Sequence, residues 1–331
     1  MKPNNVSTSH WWRYNTLFFL EHILGHKLYQ NLFSGTEQRL FKAIDKYAAS
    51  APVGEPFQVL EFQKGEYDFP QPHPYYPAIY RGAATDWPCT QKWTFDFFKE
   101  KFGDKEMVLT NNVGLVGKEQ EKFETIKLRD YIDQMRAGSK KYIKFSQMIH
   151  ENSGLQEDFN GEWLQKFHYS TEFKKLFFLF MGGKGTATPI HTALPPTVFV
   201  QIQGSKKWVF YPTSDRLFIG VRPDRRTYFH SHVDPYNLND PKYPLLKYAS
   251  KREVTIHAGD VLWFPALVWH QVENPTDSIG VAYKFFHLPS SFKSSKMLTT
   301  LFFLATKPFI FQSFFLSKIS KKEYIFNNEQ N

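Results

Sequence analysis

Two histidines in this sequence sit in surroundings that suit a metal centre. His191 lies in Thr188-Pro189-Ile190-His191-Thr192-Ala193, and His270 closes the run Gly259-Asp260-Val261-Leu262-Trp263-Phe264-Pro265-Ala266-Leu267-Val268-Trp269-His270. A lone histidine is usually structural. Two at the ends of facing barrel strands converge on one ion, because a small barrel points alternate residues inward and holds them rigidly. Cys89 is the only cysteine, which excludes an internal disulfide and any thiolate cluster for zinc or iron and sulfur. A metal here must be held by imidazole, carboxylate or water.

The elements that must position these residues are short strands. Between Leu176 and His287 the pattern is nearly all strand, with Phe177–Met181, Val198–Ile202, Trp208–Tyr211, Glu253–Ile256, Val261–Phe264 and Ile279–Phe285 separated by Gly and Pro. Upstream, Phe57–Phe62, Ala78–Tyr80 and Met107–Leu109 read as further strands, and Phe95–Phe102 (closed by Gly103) and Leu128–Met135 as helices. This predicts a mainly β fold with helical additions, a double-stranded β-helix of the cupin or jelly-roll kind. It divides the chain into a helical segment over 1–55, a barrel domain over 56–290 and an apolar helical tail over 291–331.

In the first segment, Leu17, Leu20, Leu24 and Leu28 recur at helical spacing and predict one packed helix. Ser34 with Glu37 fits a capping box and predicts the start of a second, with Leu40, Phe41, Ile44 and Tyr47 as its buried stripe. In the tail, Leu298 to Leu316 is strongly apolar, but Lys307 and Pro308 interrupt it. A helix pair that packs on the barrel or joins two copies into a homodimer is the expectation, with membrane-surface contact as the lesser one.

The stretches around His191 and His270 resemble the two metal-binding motifs of the cupin-like and Jumonji-C-like oxygenases that depend on Fe(II) and 2-oxoglutarate. The likeness extends to Tyr80-Arg81-Gly82-Ala83-Ala84-Thr85-Asp86-Trp87-Pro88, to Trp93 through Asp104 and to Ser231-His232-Val233-Asp234, and covers roughly Pro77 to His287. The resemblance implies that His191 and His270 are metal ligands. It implies that Lys206, in Gly204-Ser205-Lys206-Lys207-Trp208, pairs with the distal carboxylate of 2-oxoglutarate, with Thr188 bonding the same group and Thr197 near the co-substrate. A buried ammonium needs an anionic partner, and a dicarboxylate is one. The implied reaction is oxidation of a protein side chain or a small molecule, coupled to decarboxylation of 2-oxoglutarate to succinate.

One departure bears on all of this. The family places an acidic ligand two residues after the first histidine, and here that position is Ala193, followed by Leu194, Pro195 and Pro196. Three accounts stay open: a metal held by two histidines and water, a halide such as chloride in the vacant position, or a barrel that has lost its metal and serves as a binding or scaffolding module. Asp260 belongs to the turn before the second motif, where bonding backbone N–H groups is its expected task. Lys284 is a second departure, on a strand where relatives often carry Asn.

The net charge of +9 comes from scattered pairs such as Lys206-Lys207, and neither zinc-finger spacing nor a basic helix is present, so no nucleic-acid partner is expected. The polar start and the absence of a cleavage site after Leu24 suggest a cytoplasmic protein. His230, His232 and His257 read as surface or structural residues, Gly182 to Gly185 as a turn, and Trp263, Trp269, Tyr75, Tyr76 and Trp87 as packing.

Overall fold

The computed structural model describes residues 2–51, 56–68, 70, 72–111, 122–169, 175–223 and 225–306. The chain opens with helices α1 (Thr8–Leu24) and α2 (His26–Ser50), and then alternates strands and helices: β1 (Leu60–Phe62), β2 (Ala78–Tyr80), α3 (Pro88–Lys92), α4 (Phe95–Phe102), β3 (Glu106–Thr110), β4 (Phe123–Lys127), α5 (Leu128–Arg136), β5 (Tyr142–Ser146), α6 (Ser153–Gln156) and α7 (Gly161–Gln165). The barrel follows as β6 (Lys175–Gly182), β7 (Ala187–His191), β8 (Thr197–Gln203), β9 (Ser205–Tyr211), β10 (Arg252–His257), β11 (Val261–Phe264), β12 (Trp269–Glu273) and β13 (Ser278–Phe285), and α8 (Leu288–Ser294) and α9 (Lys296–Leu304) close the described part.

The strands form two sheets. One has nine strands in the order β1-β2-β11-β8-β13-β6-β5-β3-β4, and the other has four in the order β10-β9-β12-β7. Side chains alternate across each sheet, as the period of two requires. Val198, Val200, Val281 and Tyr283 join one apolar cluster with the helices α3 to α7, whereas Phe199, Ala282, Leu262 and Phe178 turn the other way and meet Trp208, Phe210 and Val272 of the smaller sheet. The space between the sheets is therefore lined by alternate residues from both, as a jelly roll demands.

The smaller sheet's outer face is covered by the N-terminal helices. Tyr14, Leu17 and Phe18 of α1 and Leu40 and Ile44 of α2 pack with Ile190, Val209, Tyr211 and Trp269, and Leu298 and Leu301 of α9 join them. Three details differ from the sequence reading. Gly25, at φ 80°, breaks the first helix, so Leu28 lies in α2 and is 47% exposed. Residues Ser34 and Glu37 do not start a helix, since α2 runs unbroken through them; Glu37 is buried and accepts from the Tyr29 hydroxyl and from Arg222. Glu37 pairs with Arg222 instead of capping a helix start. Tyr47, assigned to the buried stripe, is 41% exposed.

The tail beyond Thr306, including Lys307 and Pro308, lies outside the described residues. Among those described, no helix is long and apolar enough to cross a membrane. Helices α4 and α5 stand where the sequence predicts them, and Thr94 caps α4 by accepting from the Phe97 N–H.

Candidate functional site

Strand β7 carries Thr188 and His191, and in a regular strand residues three apart point to opposite faces. Both nevertheless line the same cavity. The register explains it: His191 pairs with His270 and Thr188 with Val272, so three steps on β7 oppose two on β12. The extra residue is a β-bulge at Pro189-Ile190, a site that tolerates proline because its missing N–H is not required there. Without it, either the histidine or the threonine faces the outside.

The two imidazoles are then cross-strand neighbours, with ring centroids 4.2 Å apart. His191 Nδ1 lies 2.8 Å from the Pro189 carbonyl and His270 Nδ1 lies 3.0 Å from the Val268 carbonyl. A carbonyl only accepts, so each Nδ1 carries the proton and each Nε2 keeps its lone pair, the tautomer a metal requires. Desolvation holds both rings neutral: it is the main reason His270 is pushed down to about 3 and His191 well below its ordinary value, with the charge of Lys284 adding to both.

Lys206 enters from β9, on the same face as Trp208 and Phe210, and is 1% exposed. Its ammonium donates to Asn274 Oδ1 at 2.5 Å and to the Tyr142 hydroxyl at 3.2 Å, and lies over the rings of Tyr142 and Phe199. Asn274 is itself held, donating from Nδ2 to Thr186 Oγ1 at 2.7 Å. Burial with no carboxylate in contact lowers Lys206 to about 7. Lys284 enters from the opposite sheet, over the rings of Phe145 at 5.0 Å and Phe178 at 5.9 Å, and burial lowers it to about 8.

Thr188, Thr197, Lys206, Lys284, His191 and His270 all line one pocket, with Tyr142 and an aromatic wall that includes Phe180, Phe199, Trp208 and Phe264. Among the described residues, no acidic side chain is on that lining. Ala193, two residues past His191, is half-buried and absent from the wall, and its carbonyl accepts from the Leu267 N–H. Among the described residues no third His, Cys, Asp or Glu joins the two histidines as a ligand set.

The other candidates are placed elsewhere. Asp260 accepts from the N–H groups of Gly82 and His257 and from Arg81, fastening the turn that leads into β11. His257 and His232 are exposed, and His230 pairs through its backbone with His191. Trp263 and Trp269 face away from the pocket, donating to the carbonyls of His73 and Thr213. Gly182 ends β6, and the residues after it make the turn into β7. Tyr142 and Asn274 are the residues that sequence reasoning missed; the one available signal was the short alternating run of β5, and Asn274 had none, since it acts through Lys206.

The donor set can be tested against the groups the resemblance implies. Two buried ammonium groups without a carboxylate fit a dicarboxylate, and two neutral imidazoles with free Nε2 lone pairs fit a divalent metal. The anionic oxygen donor of a two-histidine, one-carboxylate triad is missing, so the remaining ligands would have to be the co-substrate and water.

Comparison with known proteins gives a match to the cupin-like domain over residues 73–292. The human tRNA wybutosine-synthesizing protein 5 is 29% identical over 223 residues, covering 61% of this chain and 69% of that protein. The mouse 2-oxoglutarate and iron-dependent oxygenase JMJD4 is 24% identical, covering 63% of this chain and 55% of its own. Lysine-specific demethylase 8 of Xenopus tropicalis is 22% identical, covering 68% and 50%. The chain thus spans between half and some two thirds of the length of these relatives.

Proposed function

The chain belongs to the cupin-like domain family, and from that premise we propose that it is an Fe(II)- and 2-oxoglutarate-dependent oxygenase that hydroxylates an amino-acid side chain or a small molecule. The observation that carries this reading is the convergence of His191, His270 and Lys206 on one cavity. In it, His191 and His270 offer Nε2 to the metal, and Lys206, which donates to Tyr142, neutralises one carboxylate of the co-substrate, with Thr188 on the wall of the same pocket. Thr197 closes the same wall. The bound metal and 2-oxoglutarate would supply the oxidising power, O2 giving one oxygen atom to the substrate and one to succinate as CO2 leaves. The aromatic lining keeps water from the reacting centre.

With no carboxylate two residues after His191, a halide is an alternative anionic ligand for the proposed metal, so chloride-dependent product is the result that would replace hydroxylation by halogenation. A second reading has its own support: with the acidic ligand absent and the charge of Lys284 facing the two imidazoles, the barrel would bind an anion without oxidising anything. Reconstitution with Fe(II) and 2-oxoglutarate under anaerobic conditions, followed by O2 and measurement of succinate with and without chloride, separates these. Succinate release supports the oxygenase; its absence from fully metal-loaded protein supports the binding module.

A further inference from the structure

Lys206 and Lys284 approach the pocket from opposite sheets and at different depths. On the smaller sheet, His270 pairs with Phe210 and Val272 with Trp208, which places Lys206 two pairs further along, beside Asn274. Four residue steps of strand separate Phe210 from Lys206, about 13 Å of backbone. On the larger sheet, Lys284 pairs with Thr197, which also pairs with Phe264, and the Phe264 ring lies 4.7 Å from the His270 ring. Lys284 therefore stands in the row that faces the histidines, and Lys206 at the far end.

Neither ammonium has a carboxylate against it among the described residues. Lys206 has two neutral oxygen acceptors, and Lys284 has aromatic faces in place of hydrogen-bond acceptors. Two cations buried in one cavity are costly to desolvate unless an anion enters with them. An anion with two charges, one at each end, offsets both.

We propose that Lys284 is a second carboxylate-binding group, so that the pocket grips both ends of a dicarboxylate of the 2-oxoglutarate class, Lys206 one end and Lys284 the other, with no metal needed for binding. The inference rests on the reading that a dicarboxylate is the co-substrate of this site. It adds that the end which relatives are expected to hold through a metal is held here by an ammonium of the chain itself.

The test is calorimetric titration of the full chain with 2-oxoglutarate, glutarate and the monocarboxylate butyrate, in EDTA and again with Mn(II). The expected result is that dicarboxylate affinity in EDTA is within a few-fold of that with Mn(II). Lys284→Met weakens both dicarboxylates at least tenfold and leaves butyrate unchanged, whereas Lys206→Met weakens all three. Methionine is near-isosteric and uncharged, and a thermal melt confirms that each variant is folded; Lys284→Arg, which keeps the charge, should retain more affinity than Lys284→Met. Dicarboxylate binding that appears only with Mn(II), or a Lys284→Met protein that binds like the parent, overturns the inference. Succinate formation with Fe(II) reports on the oxygenase reading separately: turnover with metal-dependent binding sinks only the role of Lys284, and metal-free binding without turnover sinks only the oxygenase.

Discussion

His191 and His270 are direct cross-strand partners, their rings 4.2 Å apart and their Nδ1 protons both committed to carbonyls of their own chain segments. The pair is thereby oriented before any ligand arrives, since each ring is fixed by a bond to a residue two positions upstream. Preorganisation of this kind lowers the cost of binding at the site.

On the proposed reading the metal has two protein ligands, and the loss of either histidine should end its binding. His191→Ala and His270→Ala are each expected to abolish Mn(II) binding, measured by electron paramagnetic resonance of the free ion. Thermal stability should change little in either direction, because each ring is a buried polar group held by a single hydrogen bond. A variant that still takes up one equivalent of Mn(II) in the pocket would show that the imidazoles are not the ligands.

Restoring the acidic ligand is the complementary change. β7 ends at His191 and Ala193 does not line the pocket, so Ala193→Asp asks whether a carboxylate, longer than the alanine methyl, reaches the two rings from just past the strand. Ala193→Asp should raise metal affinity roughly tenfold or more, as expected for adding an anionic ligand to two neutral ones. Unchanged Mn(II) affinity in a normally folded Ala193→Asp protein would mean that the backbone after β7 turns that side chain away.

The barrel and much of the site were legible in the sequence, and the reasons differ from residue to residue. Val198–Ile202 and Val261–Phe264 read as strands because their apolar runs are bounded by turn residues. The strands that carry the histidines did not, for β7 is interrupted by Pro189 and β12 by polar Gln271. The bulge that brings Thr188 and His191 to one face has no signature in residue type; it is set by the pairing with β12. Tyr142 and Asn274 were hidden for a related reason, as each reaches Lys206 only through the tertiary arrangement. The continuous course of α2 was obscured by Glu37, whose carboxylate serves Arg222 from a distant loop.

Asp260 provides a test of the scaffold apart from the chemistry. It is buried and accepts from two backbone N–H groups and from Arg81 at 2.7 Å, tying the loop after β2 to the turn before β11. Removing one member of such a cluster leaves donors unpaired, at a cost of about 2–4 kcal/mol given that Arg81 is partly open to solvent. Asp260→Ala should therefore lower the denaturant midpoint markedly, and Asp260→Asn, which keeps an acceptor oxygen, by less. Equal midpoints for all three proteins would show that the turn is held by other contacts.

The pH dependence follows from Lys206, whose burial lowers it from 10.5 to about 7. Between those values the unfolded chain holds a proton that the folded chain lacks, so the stability of the free protein should rise with pH across that window and reach its low plateau below 7. The dicarboxylate needs the charged form, so its stabilising effect should run the other way, greatest near pH 6 and fading as pH climbs past 8. Of the other groups lining the pocket, His191 and His270 stay neutral through this range, Tyr142 is pushed up beyond it, and Lys284 titrates at about 8. Melting temperatures from pH 6 to 10, with and without 2-oxoglutarate in EDTA, measure both slopes. In Lys206→Met the slope of the free protein should shrink to the part that Lys284 contributes. A parent protein whose ligand-induced stabilisation is independent of pH would contradict the assignment of a buried ammonium as the carboxylate's partner.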